Sequence, residues 1–115
     1  MTEAVIVSAA RSPIGRAHKG SLKDVRADDM LVQTIQAALS AVPGLDPRLI
    51  EDIMVGCAQP AGEQGYNLGR IAALQLGLDS VPGTTVQRYC SSSLQTMRMA
   101  MHAIRAGEGS VFIAG

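Results

Sequence analysis

The stretch GTTVQRYCSSSLQTMRMAMHAIRAGEGSVFIAG, Gly83 to Gly115, decides how this chain is folded. Gly83 to Gln87 follows the Pro82 turn signal and is too short and too Thr-rich to be a helix, so it reads as a strand. From Ser91 to Ala106 apolar residues recur at helical spacing, with Leu94, Met97, Met101 and Ile104 on one stripe and Gly107 just past the end. Ser110 to Ala114 is a second strand, a short β-branched-rich run bounded by Gly. Strand, helix, strand is the unit that joins parallel neighbours, because only a crossover of a dozen or more residues returns the chain to the starting end of a sheet.

The upstream sequence repeats this alternation. Ala4 to Ala9 and Ile53 to Ala58 read as buried strands. A helix is expected from Asp28 to Val42, with Leu31, Ile35, Ala38, Leu39 and Val42 on one face, Asp28 or Asp29 as N-cap, and Pro43-Gly44 as the stop. Another is expected from Asn67 to Leu76, capped by Asn67 and closed by Gly77, with Gly69 marking a close contact. The order predicts an α/β fold, a mostly parallel sheet with helices on both faces. The connections Arg11 to Val25 and Gln59 to Tyr66 are long for such units and rich in Gly and Pro, which suggests functional or interface loops.

With 115 residues, 47% apolar and 17% charged, the chain is one folded unit or a piece of a larger one. Ten basic and ten acidic residues cancel, so nothing marks a nucleic-acid or anionic-membrane partner. No apolar run approaches the roughly 20 residues of a membrane helix, and no basic leader precedes the first strand; the expected location is cytoplasmic. Cys57 and Cys90 lack a metal-type spacing, so no metal is expected and both read as free thiols. The sequence stops directly after an apolar strand, so residues 1–115 are expected to form a domain incomplete at its C-terminal end.

Cys90 falls at the strand-to-helix turn, where unpaired helix N–H groups point toward the sulfur and favour thiolate by about 0.3 to 1 kcal/mol. That alone does not activate a nucleophile; a base is also needed. Position leaves two readings of Cys90, a reactive thiol or a packed structural one. Cys57, beside Gly56, reads as a small packed thiol. His18 reads as a solvated loop residue and His102 as a helix-surface or packing residue. Met97, Met99 and Met101 are core filling or a flexible acyl-chain wall. Arg11-Ser12-Pro13 and Asn67 with Arg70 organise an active-site neighbourhood or dimer contact, or are simply a Pro turn, an N-cap and a surface ion pair.

Val86-Gln87-Arg88-Tyr89-Cys90-Ser91-Ser92-Ser93-Leu94-Gln95 resembles the nucleophile motif of thiolases, Val-Asn-Arg-Phe-Cys-Ser-Ser-Gly-Leu-Gln. Two further stretches match in order, Arg11 to Arg16 with Gly20-Ser21-Leu22, and Gly56 to Arg70, so the resemblance covers essentially the whole chain. Gln87 and Ser93 depart from the motif at the turn itself. The resemblance implies the first half of an αβαβα sandwich. It implies an acyl-CoA acyltransferase that cleaves 3-ketoacyl-CoA with CoA, or runs the reverse Claisen condensation, with Cys90 as acyl-carrying nucleophile and its backbone N–H in the oxyanion hole. Coenzyme A and acyl-CoA are then substrates, no cofactor is expected, and a homodimer or homotetramer is expected to pair through Thr84-Thr85-Val86. The family's Gly-His-Pro and Cys-x-Gly-Gly segments, which carry its base and second acid/base, do not occur in this sequence. A ketoacyl synthase-like condensing enzyme shares the fold but lacks an Arg-x-Pro-x-Gly sequence such as Arg11 to Gly15; a noncatalytic scaffold domain is the rival from another class.

Overall fold

The computed structural model describes residues 2–115 and places three parallel strands at its centre: β1 (Asp52–Gly56), β2 (Gly83–Val86) and β3 (Phe112–Ala114), in the order β2-β1-β3. β1 pairs with β2 from Ile53↔Gly83 to Gly56↔Val86, and with β3 from Asp52↔Phe112 to Met54↔Ala114. Three α-helices accompany them: α1 (Ala27–Ser40), α2 (Leu68–Gln75) and α3 (Ser92–Ala106). The α/β class, the parallel pairing and the helices between strands follow the sequence reading.

Alternation along β1 divides the helices between the two faces. Ile53 and Val55 join Ile35 of α1 and Leu68, Ala72 and Ala73 of α2 in one buried cluster. The opposite side of β1 meets α3: a Cβ on Gly56 would strike the Ser92 carbonyl carbon at 2.6 Å and the Ser93 backbone, so the helix start rests directly on the strand. Gly69 does the same for α2, because a Cβ there would lie 2.7 Å from the Ile53 carbonyl oxygen and 2.8 Å from the Thr84 nitrogen. The close helix contact expected at Gly69 is therefore with the backbone of β1 and β2.

Four expectations need correction. Ala4 to Ala9 joins no strand among the described residues; Val5, Ile6 and Val7 are 68 to 74% exposed, and a backbone row without a neighbour cannot form a ladder. It is tied to α1 by the Ser8 hydroxyl, which donates to the Ala38 carbonyl at 2.8 Å. The N-cap position of α1 is Arg26, not Asp28 or Asp29; Asp28 lies buried in the first turn of the helix, where its carboxylate accepts two bonds of 2.9 Å from the Arg26 guanidinium. Asn67 occupies the N-cap position of α2 with a left-handed backbone but leaves the helix uncapped; its side chain instead bridges to β2, donating to the Gly83 carbonyl at 2.8 Å and accepting from the Thr85 hydroxyl at 3.0 Å.

The fourth correction concerns α3. Its buried residues are Ser92, Thr96, Ala100 and Ala103, whereas Leu94 is 69% and Met97 44% exposed. Close approach to the sheet over Gly56 admits only small side chains, so Leu94 and Met97 of the stripe read from the sequence face away from this core, while Met101 and Ile104 are half-buried. Met97 is consequently no core filler. Gly107, in a left-handed conformation, ends the helix where expected.

Candidate active site at the start of the third helix

β2 ends at Val86, and within a few residues the chain has turned into α3 through a 3-10 turn at Tyr89–Ser91. Cys90 lies inside that turn and is exposed, at the carboxyl end of a parallel strand, where open α/β sheets bind ligands. The α-helix proper begins at Ser92, one residue later than expected. The thiol is thus at the mouth of the helix with its surface open, unlike Cys57, which is buried and directs its sulfur to the Gln64 side-chain oxygen at 3.6 Å. Cys57 is the packed thiol the sequence suggested.

The turn is held by its own side chains. Tyr89 adopts φ 47°, a conformation that costs a non-Gly residue on the order of 1–3 kcal/mol and persists only where its surroundings dictate it. The Gln87 side-chain oxygen accepts from the Tyr89 N–H at 3.2 Å. Arg88 donates from its guanidinium to the Gln95 side-chain oxygen at 2.6 Å, and from its backbone N–H to the Ser92 hydroxyl at 2.8 Å. Ser92 in turn donates to the Tyr89 carbonyl at 2.6 Å. Ser92 escaped the sequence reading; its place in a Ser-rich run after the cysteine was the available signal.

Of the departures at Gln87 and Ser93, Gln87 is the one whose side chain bonds across the turn. Ser93 is exposed and absent from the positive-φ residues, so glycine is not required there. Beside the turn, an open cleft of about 220 Å³ is lined by Arg88, Ser91, Leu94, Gln95 and Arg98, which gives the mouth of α3 a mixed apolar and cationic rim.

The remaining candidates stand apart from this turn in role. Arg70 makes no ion pair among the described residues; its guanidinium donates to the Val81 and Asp79 carbonyls at 2.7 and 2.9 Å and shapes the entry to β2. His18 is an exposed loop residue with φ 62°, and His102 is exposed on α3. The Gln59 to Tyr66 loop docks on α1, with the Glu63 carboxylate accepting from the Ala27 N–H at 2.8 Å. No described helix is long and apolar enough to cross a membrane.

Comparison with known proteins gives one consistent answer. The sequence profile described as "Thiolase, N-terminal domain" matches residues 4–115. The chain is 43% identical over its whole length to a 3-ketoacyl-CoA thiolase of Aeromonas hydrophila, of which it covers 30%. It is 45% identical to the 3-oxoadipyl-CoA/3-oxo-5,6-dehydrosuberyl-CoA thiolase of Escherichia coli strain K12, covering 29%. All of the chain superposes on the crystal structure of the Bacillus anthracis acetyl-CoA acetyltransferase with TM-score 0.88 at 38% identity, again over 29% of that chain. The chain therefore spans a little under a third of the length of these relatives.

Proposed function

This chain belongs to the thiolase family, its residues 4–115 corresponding to the N-terminal domain, and from that premise we propose that Cys90 is the acyl-carrying nucleophile of a thiolase-type acyltransferase. The observation that carries the reading is the exposed thiol in the turn between β2 and α3. In the degradative direction the Cys90 thiolate attacks the 3-keto carbonyl carbon of a 3-ketoacyl-CoA. The bond between carbons 2 and 3 breaks, its electron pair leaves with acetyl-CoA and is protonated, and the acyl group stays on the sulfur as a thioester. The thiol of a second CoA then takes up the acyl group, releases acyl-CoA and restores the cysteine. The reverse sequence joins two acyl units.

The geometry favours the first step in two ways. Oxygen charge that develops near Cys90 lies beside the open end of α3, where backbone donors are preorganised and cost no reorganisation as charge appears. Among the described residues, the Ser91 N–H bonds to the Arg88 carbonyl and the Ser92 N–H to the Tyr89 carbonyl, whereas the Cys90 N–H takes part in no bond of the turn. That donor is the proposed contribution of this chain to the oxyanion hole. Proton transfer falls to groups the family carries in its Gly-His-Pro and Cys-x-Gly-Gly segments. A second copy of the chain is the proposed partner, paired through β2, which is an edge strand of the sheet.

Mass spectrometry of the full-length protein after brief mixing with acetyl-CoA tests the assignment. An acetyl group on the peptide holding Cys90, lost in Cys90→Ala together with turnover, is the expected result. Label on Cys57, or retained turnover in Cys90→Ala, sinks it.

A further inference from the structure

The Cys90 turn contains a hydroxyl that is almost completely withdrawn from solvent, Ser92, 4% exposed, at a place where a helix start would ordinarily be wet. It is the first residue of α3, and the helix-opening residue before it, Ser91, makes no side-chain cap bond. Ser92 is spent on the turn instead. Its oxygen accepts from the Arg88 N–H at 2.8 Å while its hydrogen goes to the Tyr89 carbonyl at 2.6 Å. One side chain thereby ties both residues that precede the nucleophile to the residue two places after it.

Resting on the reading of Cys90 as nucleophile, we propose that Ser92 is a positioning residue whose buried hydroxyl locks residues 88–92 into a closed loop and so sets the direction of the Cys90 thiol. Three features converge on this role. Tyr89 is held left-handed at φ 47°, and Arg88 also lies outside the regular regions at φ −145°, ψ 40°. A backbone so far from its preferred wells needs bonds on both sides to persist, and the hydroxyl supplies one to each of these two residues. The α3 start cannot shift to compensate, because Gly56 of β1 packs directly beneath Ser92 and Ser93. The loop is thus anchored to the sheet at one end and free to place the thiol at the other. Without the hydroxyl, the Arg88 N–H loses its partner and the Tyr89 carbonyl keeps only the Ser92 backbone N–H, so the turn can relax toward ordinary backbone angles, and the thiol swings with it.

The experiment measures single-turnover acylation of Cys90 by acetyl-CoA in the full-length protein, with KM, kcat and the thermal midpoint for each variant. Ser92→Ala is expected to acylate at least about tenfold more slowly, the scale on which a misplacement of about an ångström acts, with KM within about threefold of the parent. Ser92→Thr and Ser92→Val carry similar bulk and differ in hydroxyl against methyl, so they isolate the hydroxyl even if Ser92→Ala does not fold. Thr is expected to acylate at least about tenfold faster than Val, and alkylation of the buried Cys57 is expected to be equal in both. Equal acylation of Thr and Val variants, or Ser92→Ala within about twofold of the parent, overturns the positioning role while the nucleophile stands. Failure of the parent protein to acylate at Cys90 overturns the nucleophile itself, and is read separately from either of those results.

Discussion

At the scale of single residues, Gly56 and Cys90 are a working pair although neither touches the other's chemistry. Gly56 has no Cβ to hold the first turn of α3 off β1, and that contact sets where the Cys90 turn emerges. Gly56→Ala is expected to destabilise by about 1–3 kcal/mol, the usual cost of forcing atoms into a packed contact, since the obstructing atoms are backbone and cannot rotate away. Urea titration checks the loss, and iodoacetamide labelling of Cys90 in the folded fraction is expected to slow with it. A substitution that leaves the urea midpoint unchanged would mean that α3 stands farther from β1 than the Gly56 contact places it.

Among the elements, two carboxylates with opposite signs control how stability responds to acid. At the start of α1, the hydrogen bonds and charge of Arg26 hold the Asp28 carboxyl below its ordinary value, against the opposing effect of burial. A depressed carboxylate contributes stability above the unfolded value of about 3.9 and loses it as pH falls through the folded value. Asp28→Asn is therefore expected to be less stable at pH 7 and to lose less on acidification than the parent. At the start of β1, burial raises the Asp52 carboxyl above its ordinary value, and its Oδ1 is buried without a hydrogen-bond partner. Here the contribution is fully present below the unfolded value and is lost as pH rises through the folded one. Asp52→Asn is expected to raise the denaturation midpoint at pH 7, and the gain should vanish in acid. A lowered midpoint at neutral pH would contradict the account of Asp52.

For the molecule as a whole, the proposed reaction asks more of the chain than a thiol in a turn. Helix-end stabilisation supplies about a kcal/mol, whereas general acid-base catalysis contributes about 10² to 10⁴-fold. Residues 1–115 alone are expected to show no thiolysis of acetoacetyl-CoA above background, even where Cys90 can be alkylated. Turnover close to that of the full-length protein would refute the division of labour and turn attention to His18 and His102. The exposed Val5-Ile6-Val7 segment should be the first cut in limited proteolysis of residues 1–115, because no ladder protects its amides. Light scattering of the full-length protein is expected to report a dimer at least, and a monomer at working concentration would remove the pairing through β2.

By itself the sequence determined the alternation of elements from α1 to β3 and the place of Cys90 between a strand and a helix. Period and punctuation are local properties: Thr84 to Val86 before a turn, Gly107 after a helix, and a cysteine between a strand and a helix are all readable within a few residues. It determined the family through motifs that are themselves local. Tertiary structure decided which face of each element is used. The stripe of Leu94 and Met97 satisfied the helical period yet lost the core to Ser92, Thr96, Ala100 and Ala103, because contact over Gly56 left room only for small side chains. Ala4 to Ala9 carries a strand's composition, but strand formation requires a neighbour's backbone, which no local pattern can supply. Asn67 had the residue type of a cap and became a bridge to Gly83 and Thr85, since the choice between its own helix and the strand alongside depends on what folding brings within reach.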